Sequence, residues 1–367
     1  MDLGINYYKL KNGISGLLRV RNDAIFIESC VDSCIDALDE LIIIYNDCTD
    51  NSEEIINRCK KKYPHKIYVY KYPYKVLSSK LSEEEFNFVM SLPEDSKHLL
   101  SSYYNFGLSK VQYKYAMKID ADQIYFTDKL IKLCNIYRKN NKLNIHVILG
   151  FFISILYCCR FVSKKIKFSI LQLPFCYKNY IEYTEYMACK GKVLLSISGI
   201  NIILSEDNAY VPLGNDDKDD IGLLPPFNGV TDHLIFKVTP QTYYKRWYLP
   251  TYNAHKGGKN VIEKFHYQGK ILKYGFMWFH LNMMRSDTYK KYKYQLANTL
   301  KFIRIDNFHN YKIDETFKNI KLNASMLLDF AIFHANEKKD YIKYKQMLYN
   351  FFIKIYHLSQ KENNTDS

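Results

Sequence analysis

Two aspartates one residue apart, Asp120 and Asp122, follow an apolar run in the segment Lys118-Ile119-Asp120-Ala121-Asp122. Two carboxylates at i and i+2 beyond a strand can reach one hard cation if the chain turns there. Oxygen donors of this kind suit Mn2+ or Mg2+, which in turn can bind a diphosphate. Such a triplet alone is more often a solvated loop, and its weight comes from two polar turns upstream. In Arg19-Val20-Arg21-Asn22-Asp23, two cations and an amide can meet phosphate or a uracil edge. In Tyr45-Asn46-Asp47-Cys48-Thr49-Asp50, an aromatic ring, an amide and carboxylates can hold a base and a ribose. Turn chemistry and helix capping use the same residue types, so each turn by itself admits a purely structural reading.

What gives the three turns a common meaning is the order of elements that must position them. Ser15–Val20, Leu41–Tyr45, Lys66–Tyr72 and Tyr115–Ile119 read as strands, the second β-branched and wholly apolar, as a strand covered on both faces should be. Between them Asp23–Leu38, a segment opening at Asp50-Asn51-Ser52-Glu53 with a capping pattern, Leu81–Leu92 and His98–Leu108 read as helices. Alternation of this kind predicts an α/β fold, a mostly parallel sheet with helices on both faces. Ligands on such sheets sit beyond the carboxyl ends of the strands, where all three turns lie. Downstream, Ile145–Tyr157, Val193–Leu204 and Leu234–Val238 read as strands; the uncharged run Val147–Cys159 is too short for a membrane span and is expected to be one or two buried strands.

The composition narrows the classes. With 367 residues, 47% of them apolar, the chain can bury a large core. There is no Gly-rich dinucleotide or P-loop motif and no G-x-S-x-G elbow, which disfavours dinucleotide oxidoreductases, P-loop NTPases and α/β-hydrolases. Nine cysteines without a C-x-x-C pair are expected to be free thiols in a reducing compartment. Met1–Leu10 has no apolar core of a signal peptide, so a cytoplasmic protein is expected, with at most a peripheral attachment at the inner face of the membrane.

The string Arg19-Val20-Arg21-Asn22, Tyr45-Asn46-Asp47-Cys48-Thr49-Asp50, Lys71-Tyr72-Pro73-Tyr74, Ser102-Tyr103-Tyr104-Asn105 and Lys118-Ile119-Asp120-Ala121-Asp122 resembles GT-A glycosyltransferases. More narrowly it is similar to the bacterial β-1,4-N-acetylgalactosaminyltransferase family of lipooligosaccharide biosynthesis, strongly over residues 13 to 135 and faintly beyond. The resemblance implies a Rossmann-like GT-A catalytic domain over 1–285, with a nucleotide-sugar half to about 130 and an acceptor half after it. Residues 286–367 would then be a basic, aromatic, helical C-terminal region. It further implies a metal-dependent inverting transfer of a hexose or N-acetylhexosamine, GalNAc favoured, from a UDP-sugar to a lipooligosaccharide or capsule glycan acceptor that is lipid-linked, a membrane-borne precursor.

The same resemblance assigns roles. Asp120 and Asp122 would bind Mn2+ or Mg2+ and, through it, the diphosphate. Arg19, Arg21, Asn22, Tyr45, Asn46, Asp47, Tyr104 and Lys118, with Asp120, would contact the donor. A late metal or phosphate ligand fits His280 at the end of Phe276-Met277-Trp278-Phe279-His280, with His255 and His266 as weaker rivals and a satisfied core histidine as the bland reading. The base that takes the acceptor proton fits Asp232, ahead of Asp216 and Asp217; the bland reading of Asp232 is a helix cap. From Tyr289 to Lys361 there are 14 Lys and Arg against 6 Asp and Glu, which fits an anionic membrane surface or an anionic acceptor, and no nucleic-acid motif accompanies it. A sugar nucleotidyltransferase and a non-catalytic basic membrane- or glycan-binding module are the alternatives.

Overall fold

The computed structural model describes residues 3–79, 81–139, 141–157, 169–205, 208–214, 224–229, 232–248, 259–285, 302–308, 332–333 and 343–353. In chain order the strands and helices are β1 (Lys11–Val20), α1 (Ala24–Cys34), β2 (Glu40–Tyr45), α2 (Ser52–Lys62), β3 (Ile67–Lys71), α3 (Glu83–Ser91), α4 (Leu100–Leu108) and β4 (Tyr113–Asp120). There follow β5 (Gln123–Tyr125), α5 (Thr127–Ile136), α6 (Ile145–Tyr157), α7 (Pro174–Cys189), β6 (Val193–Asn201), β7 (Ile203–Ser205), β8 (Asn208–Pro212) and β9 (Phe227–Asn228). The last are β10 (Leu234–Lys237), β11 (Tyr243–Tyr248), β12 (Val261–His266), β13 (Lys270–His280), β14 (Phe302–Arg304) and α8 (Ile305–Phe308). They fall into two compact units interleaved along the chain. The first holds Met1–Ala121, Ile131–Arg138 and Ile235–Lys270; the second holds Asp122–Leu130, Lys139–Leu234 and Ile271–Ser367.

The first unit is the expected α/β layer. Its strands run in the order β3-β2-β1-β4-β10, parallel through β4, with β10 antiparallel to β4. All six residues of β2 are buried, so both faces of the sheet are covered, as its unbroken apolar run requires. On α2, Ile55, Ile56 and Cys59 face inward, while three lysines close its last turn against the helix dipole. The expected side-chain cap of α2 is absent: Asp50 accepts from the backbone of Ser52 at 3.0 Å and of Ala24 at 3.1 Å, which ties the start of α2 to α1. The strand order reverses between β1 and β4, the place where such sheets open a crevice. An antiparallel pair, β11 and β12, completes the unit, and Asn105 on α4 bonds both backbone groups of Tyr244. On β11, Trp247 is 46% exposed and lies under the ammonium of Lys264.

In the second unit β6, β13 and β5 lie side by side, with β9 on the far side of β6, and β14, β8 and β7 form a small separate sheet. Trp278 on β13 is fully buried, and its indole lies against Gly199 and Gly229, where any side chain would collide with the ring. The run expected as buried strands is instead the helix α6. Its buried positions are Val147, Gly150, Ile153 and Ser154, a helical spacing, and Asn144 caps it by accepting from Val147 N at 2.9 Å. A continuous apolar run shows no period of its own, so its β-branched content misled while its 13 residues were already long for a strand. Gly150 allows α6 to touch the backbone of Asn179 on α7.

Of the region 286–367, the described residues comprise β14, α8, residues 332–333 and a helical stretch at 343–353. There Tyr344 stacks on Phe126 at 4.3 Å, Leu348 and Phe351 are buried, and Lys343 pairs with Asp128 at 2.6 Å. Asp216, Asp217, His255 and most of the basic tail lie outside the described residues. The seven described cysteines are all free.

Glu40 makes a prediction about this core. Its Oε1 accepts from Ser15 Oγ at 2.6 Å and from Gln112 N at 2.7 Å, and Oε2 is buried without a hydrogen-bond partner. Burial raises its pKa above the usual glutamate value, more than those two bonds lower it. A carboxyl with a raised folded pKa contributes stability below its unfolded pKa and loses it as pH rises through the folded one. Glu40→Gln keeps an oxygen for both bonds, so it should raise the melting temperature at neutral pH, the gain shrinking as pH falls to about 4. An equal gain at both pH values would show that the charge is not what costs stability.

Candidate functional site

Register brings the strand ends of the first unit level. Arg19 pairs with Asp120 across β1 and β4, Val20 with Tyr45 across β1 and β2, and Tyr45 with Lys71 across β2 and β3. The polar turns that follow therefore sit side by side along one edge. They are also stitched together: Asn22 Oδ1 accepts from Thr49 N at 2.7 Å, Asn22 Nδ2 donates to Thr49 Oγ1 at 3.1 Å, and Arg21 Nη2 donates to Asp47 at 3.0 Å. Asn22 and Asp47 are the described non-glycine residues with positive φ, at 57° and 48°. Asn and Asp tolerate this left-handed region best among side-chain-bearing residues, and each turn bends sharply on such a residue. Asn46 is buried, and its Nδ2 has no hydrogen-bond partner among the described residues. Tyr45 donates to Glu53 Oε1 at 2.7 Å; burial first, then that carboxylate, pushes its pKa up to about 12.

Arg19, Tyr104, Lys118 and Asp120 form a second group in the same unit, and it is a knot rather than an open pocket. The Arg19 guanidinium lies 3.6 Å from the centre of the Tyr104 ring, and its Nη2 donates to Asp120 Oδ1 at 2.9 Å. Burial works against that charge, but Tyr104, Asp120 and Glu263 outweigh it and hold the guanidinium's pKa above its usual value. Burial drives the Tyr104 hydroxyl well above the ordinary tyrosine range. Lys118 Nζ lies 3.9 Å from Glu263 Oε1 and 5.6 Å from the Tyr104 ring. Glu263, on β12, is a member that no local motif announces.

Two residues after Asp120, Asp122 opens the part of the second unit that precedes β5. It is buried, and its Oδ2 accepts two bonds from Arg285, from Nε at 3.2 Å and Nη2 at 2.9 Å. His280 closes β13, and its Nε2 lies 3.5 Å from Asp122 Oδ1. The other ring nitrogen, Nδ1, lies 2.6 Å from Asn201 Oδ1, and Asn201 Nδ2 donates to Pro225 O at 2.7 Å. That last bond fixes which way the amide points. The amide oxygen therefore accepts from Nδ1–H, and in the neutral ring Nε2 is the nitrogen turned toward Asp122. A carboxylate oxygen and an imidazole nitrogen so placed fit a divalent cation with ligand distances of about 2.1 Å.

Asp232 does not cap a helix. It lies in a turn ahead of β10, and its carboxylate is exposed. Its neighbour His233 is buried and held from the other side: Tyr125 donates to Gln123 Oε1 at 2.5 Å, which leaves the Gln123 amide to donate to His233 Nε2 at 2.6 Å. The proton of the ring then sits on Nδ1, 3.7 Å from Asp232 Oδ2. His266 bonds to Gln241 O at 2.9 Å and stacks on Tyr243, a structural use. Arg285, Asn201, His233 and Glu263 were not among the residues singled out from the sequence. Only His233, beside Asp232, carried a local signal.

Residues 11–174 match the model of the family described as Beta-1,4-N-acetylgalactosaminyltransferase (CgtA). No curated protein matches the chain. Among solved structures, glucosyl-3-phosphoglycerate synthase from Mycobacterium tuberculosis with Mn2+, UDP and glucosyl-3-phosphoglycerate aligns at 21% identity and TM-score 0.19, covering 31% of this chain and 34% of that one. The same enzyme with Mn2+ and UDP-glucose aligns at 20% identity and TM-score 0.20 over the same shares. The chain thus spans about a third of the length of these structures, and so slight a likeness says nothing of what it binds. The family match and the parallel strand order of the first unit agree with one another, and over residues 11–174 the chain resembles the β-1,4-N-acetylgalactosaminyltransferase family.

Proposed function

We propose that this chain is a metal-dependent, inverting glycosyltransferase of the GT-A type that moves a hexose or N-acetylhexosamine, GalNAc favoured, from a UDP-sugar to a lipid-linked lipooligosaccharide or capsule precursor on the cytoplasmic side. The observation that carries the reading is the pair Asp122 Oδ1 and His280 Nε2, 3.5 Å apart, with the tautomer set by Asn201. Asp120, Asp122 and His280 are the residues that would hold Mn2+ or Mg2+. Such a cation, when bound, would supply counter-charge for a departing nucleoside diphosphate. Arg285 grips the other oxygen of Asp122 and keeps Oδ1 turned toward His280.

For the donor, Tyr45, Asn46, Asp47, Arg21 and Asn22 offer an aromatic ring, amides, a carboxylate and a cation along one edge, the chemistry that a uridine and its phosphates need. Arg19, Tyr104, Lys118 and Asp120 complete the proposed donor-contacting set, held by their contacts with one another and with Glu263. For the acceptor, Asp232 is the carboxylate assigned to take the hydroxyl proton. Its exposure lets a bulky glycan reach it, and His233 Nδ1 lies 3.7 Å from its Oδ2.

Asp120→Ala and Asp122→Ala should each lower turnover by more than tenfold, about 1.4 kcal/mol, and EDTA should do the same to the wild type. Retained activity in either variant together with indifference to EDTA would sink the metal assignment. Release of UDP from a UDP-sugar, rather than of pyrophosphate, separates the transferase from a nucleotidyltransferase.

Asn201→Leu removes the acceptor that fixes the His280 ring. Mn2+-dependent UDP binding should weaken by about tenfold or more, and His280→Ala should do at least as much. Unchanged UDP affinity with a lowered melting temperature would make His280 a core histidine. Asp232→Asn should cut kcat strongly with UDP-sugar binding nearly unchanged; joint loss of both would place Asp232 at the donor instead.

A further inference from the structure

Thirteen residues of α6 carry no Asp, Glu, Lys or Arg, and half of the helix faces outward. Its inner side, Val147, Gly150, Ile153 and Ser154, is buried. Ile145, Ile148, Phe151, Phe152, Ile155 and Leu156 are each at least 43% exposed. Single exposed apolar side chains are ordinary, but six at helical spacing make a continuous stripe, which soluble surfaces seldom show without a purpose.

The charge around the stripe says what covers it. From Lys139 to Cys189 the sequence has seven Lys and Arg against two acidic residues, Glu182 and Glu185 on α7, of which Glu182 accepts a bond from Asn144 at the start of α6 and Glu185 one from Tyr274. Lys139, Lys142 and Lys178 belong to the described residues and are exposed. A second copy of the chain would bring the same cations to meet these and be repelled. An anionic bilayer accepts both features, with acyl chains for the stripe and headgroups for the lysines. Spanning needs about 20 apolar residues, and among the described residues no helix is long and apolar enough to cross a membrane. The helix must then lie in the plane of the interface.

We infer that α6 is a membrane-surface anchor whose outward stripe enters an anionic leaflet. The cations of the described tail are less suited to that task, since Lys343 is paired with Asp128 and Lys345 with Asp306. The benefit rests on the proposed lipid-linked acceptor, because confinement to a surface raises its effective concentration. Binding itself is measured without donor or acceptor, so the two readings can fail separately.

The test is flotation of the full chain with phosphatidylcholine vesicles, with and without phosphatidylglycerol, at low salt and in about 1 M NaCl. Wild type should float with the anionic vesicles and be partly released by salt. Phe152→Ser/Ile155→Ser, and Phe152→Ser alone to a lesser degree, should keep the melting temperature and lose binding, the double variant by about tenfold or more. Lys142→Glu/Lys178→Glu should lose preference for anionic vesicles. A wild type that does not float, or a double serine variant that floats equally well, overturns the proposal. So does a double variant that turns an oligomer into a monomer without changing flotation, which would make the stripe a contact between copies.

Discussion

A guanidinium largely withdrawn from water needs counter-charge, and Arg19, whose side chain is only 20% exposed, is the point at which the first unit answers that demand. Its partners come from three other elements: Asp120 from the end of β4, Tyr104 from α4 and, at longer range, Glu263 from β12. Each must be in place for the charge to be tolerated, so the ion pair works as a latch on the register that sets the strand ends level. The level strand ends in turn set the two turns side by side, where the Asn22 side chain bonds Thr49 and the Arg21 guanidinium bonds the Asp47 carboxylate. Order at the candidate donor edge thus leans on one partly buried cation.

The second unit solves a different problem, the orientation of imidazoles. His280 and His233 are both buried, and each is fixed through an amide whose own direction is set by a further bond, Pro225 O for Asn201 and Tyr125 Oη for Gln123. An amide relay of this type leaves one nitrogen of each ring committed and turns the other toward a carboxylate, Asp122 in one case and Asp232 in the other. Two residues of similar chemistry are thereby given opposite faces, Nε2 outward in His280 and Nδ1 outward in His233.

Much of the first unit was legible because its signals are local. The apolar run of β2, the turn residues after β1 and β2, and the Asp-x-Asp at the end of β4 all lie within a few residues of the strands they follow. The end position of His280 on β13 was legible for the same reason. The partners that give these residues their geometry were not. Asn201 is 79 residues from His280, and Arg285 is 163 from Asp122, so no spacing rule joins them. Helix α6 was misread because a run with no polar residues has no visible period, and its outward half only became apparent once the fold showed which side α7 covers.

The tryptophans have a practical consequence. The chain has two, and they fall in different units: Trp247 on β11, half in solvent beneath Lys264, and Trp278 on β13, sealed against Gly199 and Gly229 with the His233 ring 4.9 Å away. Their emission is therefore resolvable by environment, a red-shifted component from the first unit and a blue-shifted one from the second. The intrinsic fluorescence of the unlabelled protein can follow the opening of each unit on its own. A denaturation curve read at two wavelengths would then reveal whether they melt together or in sequence.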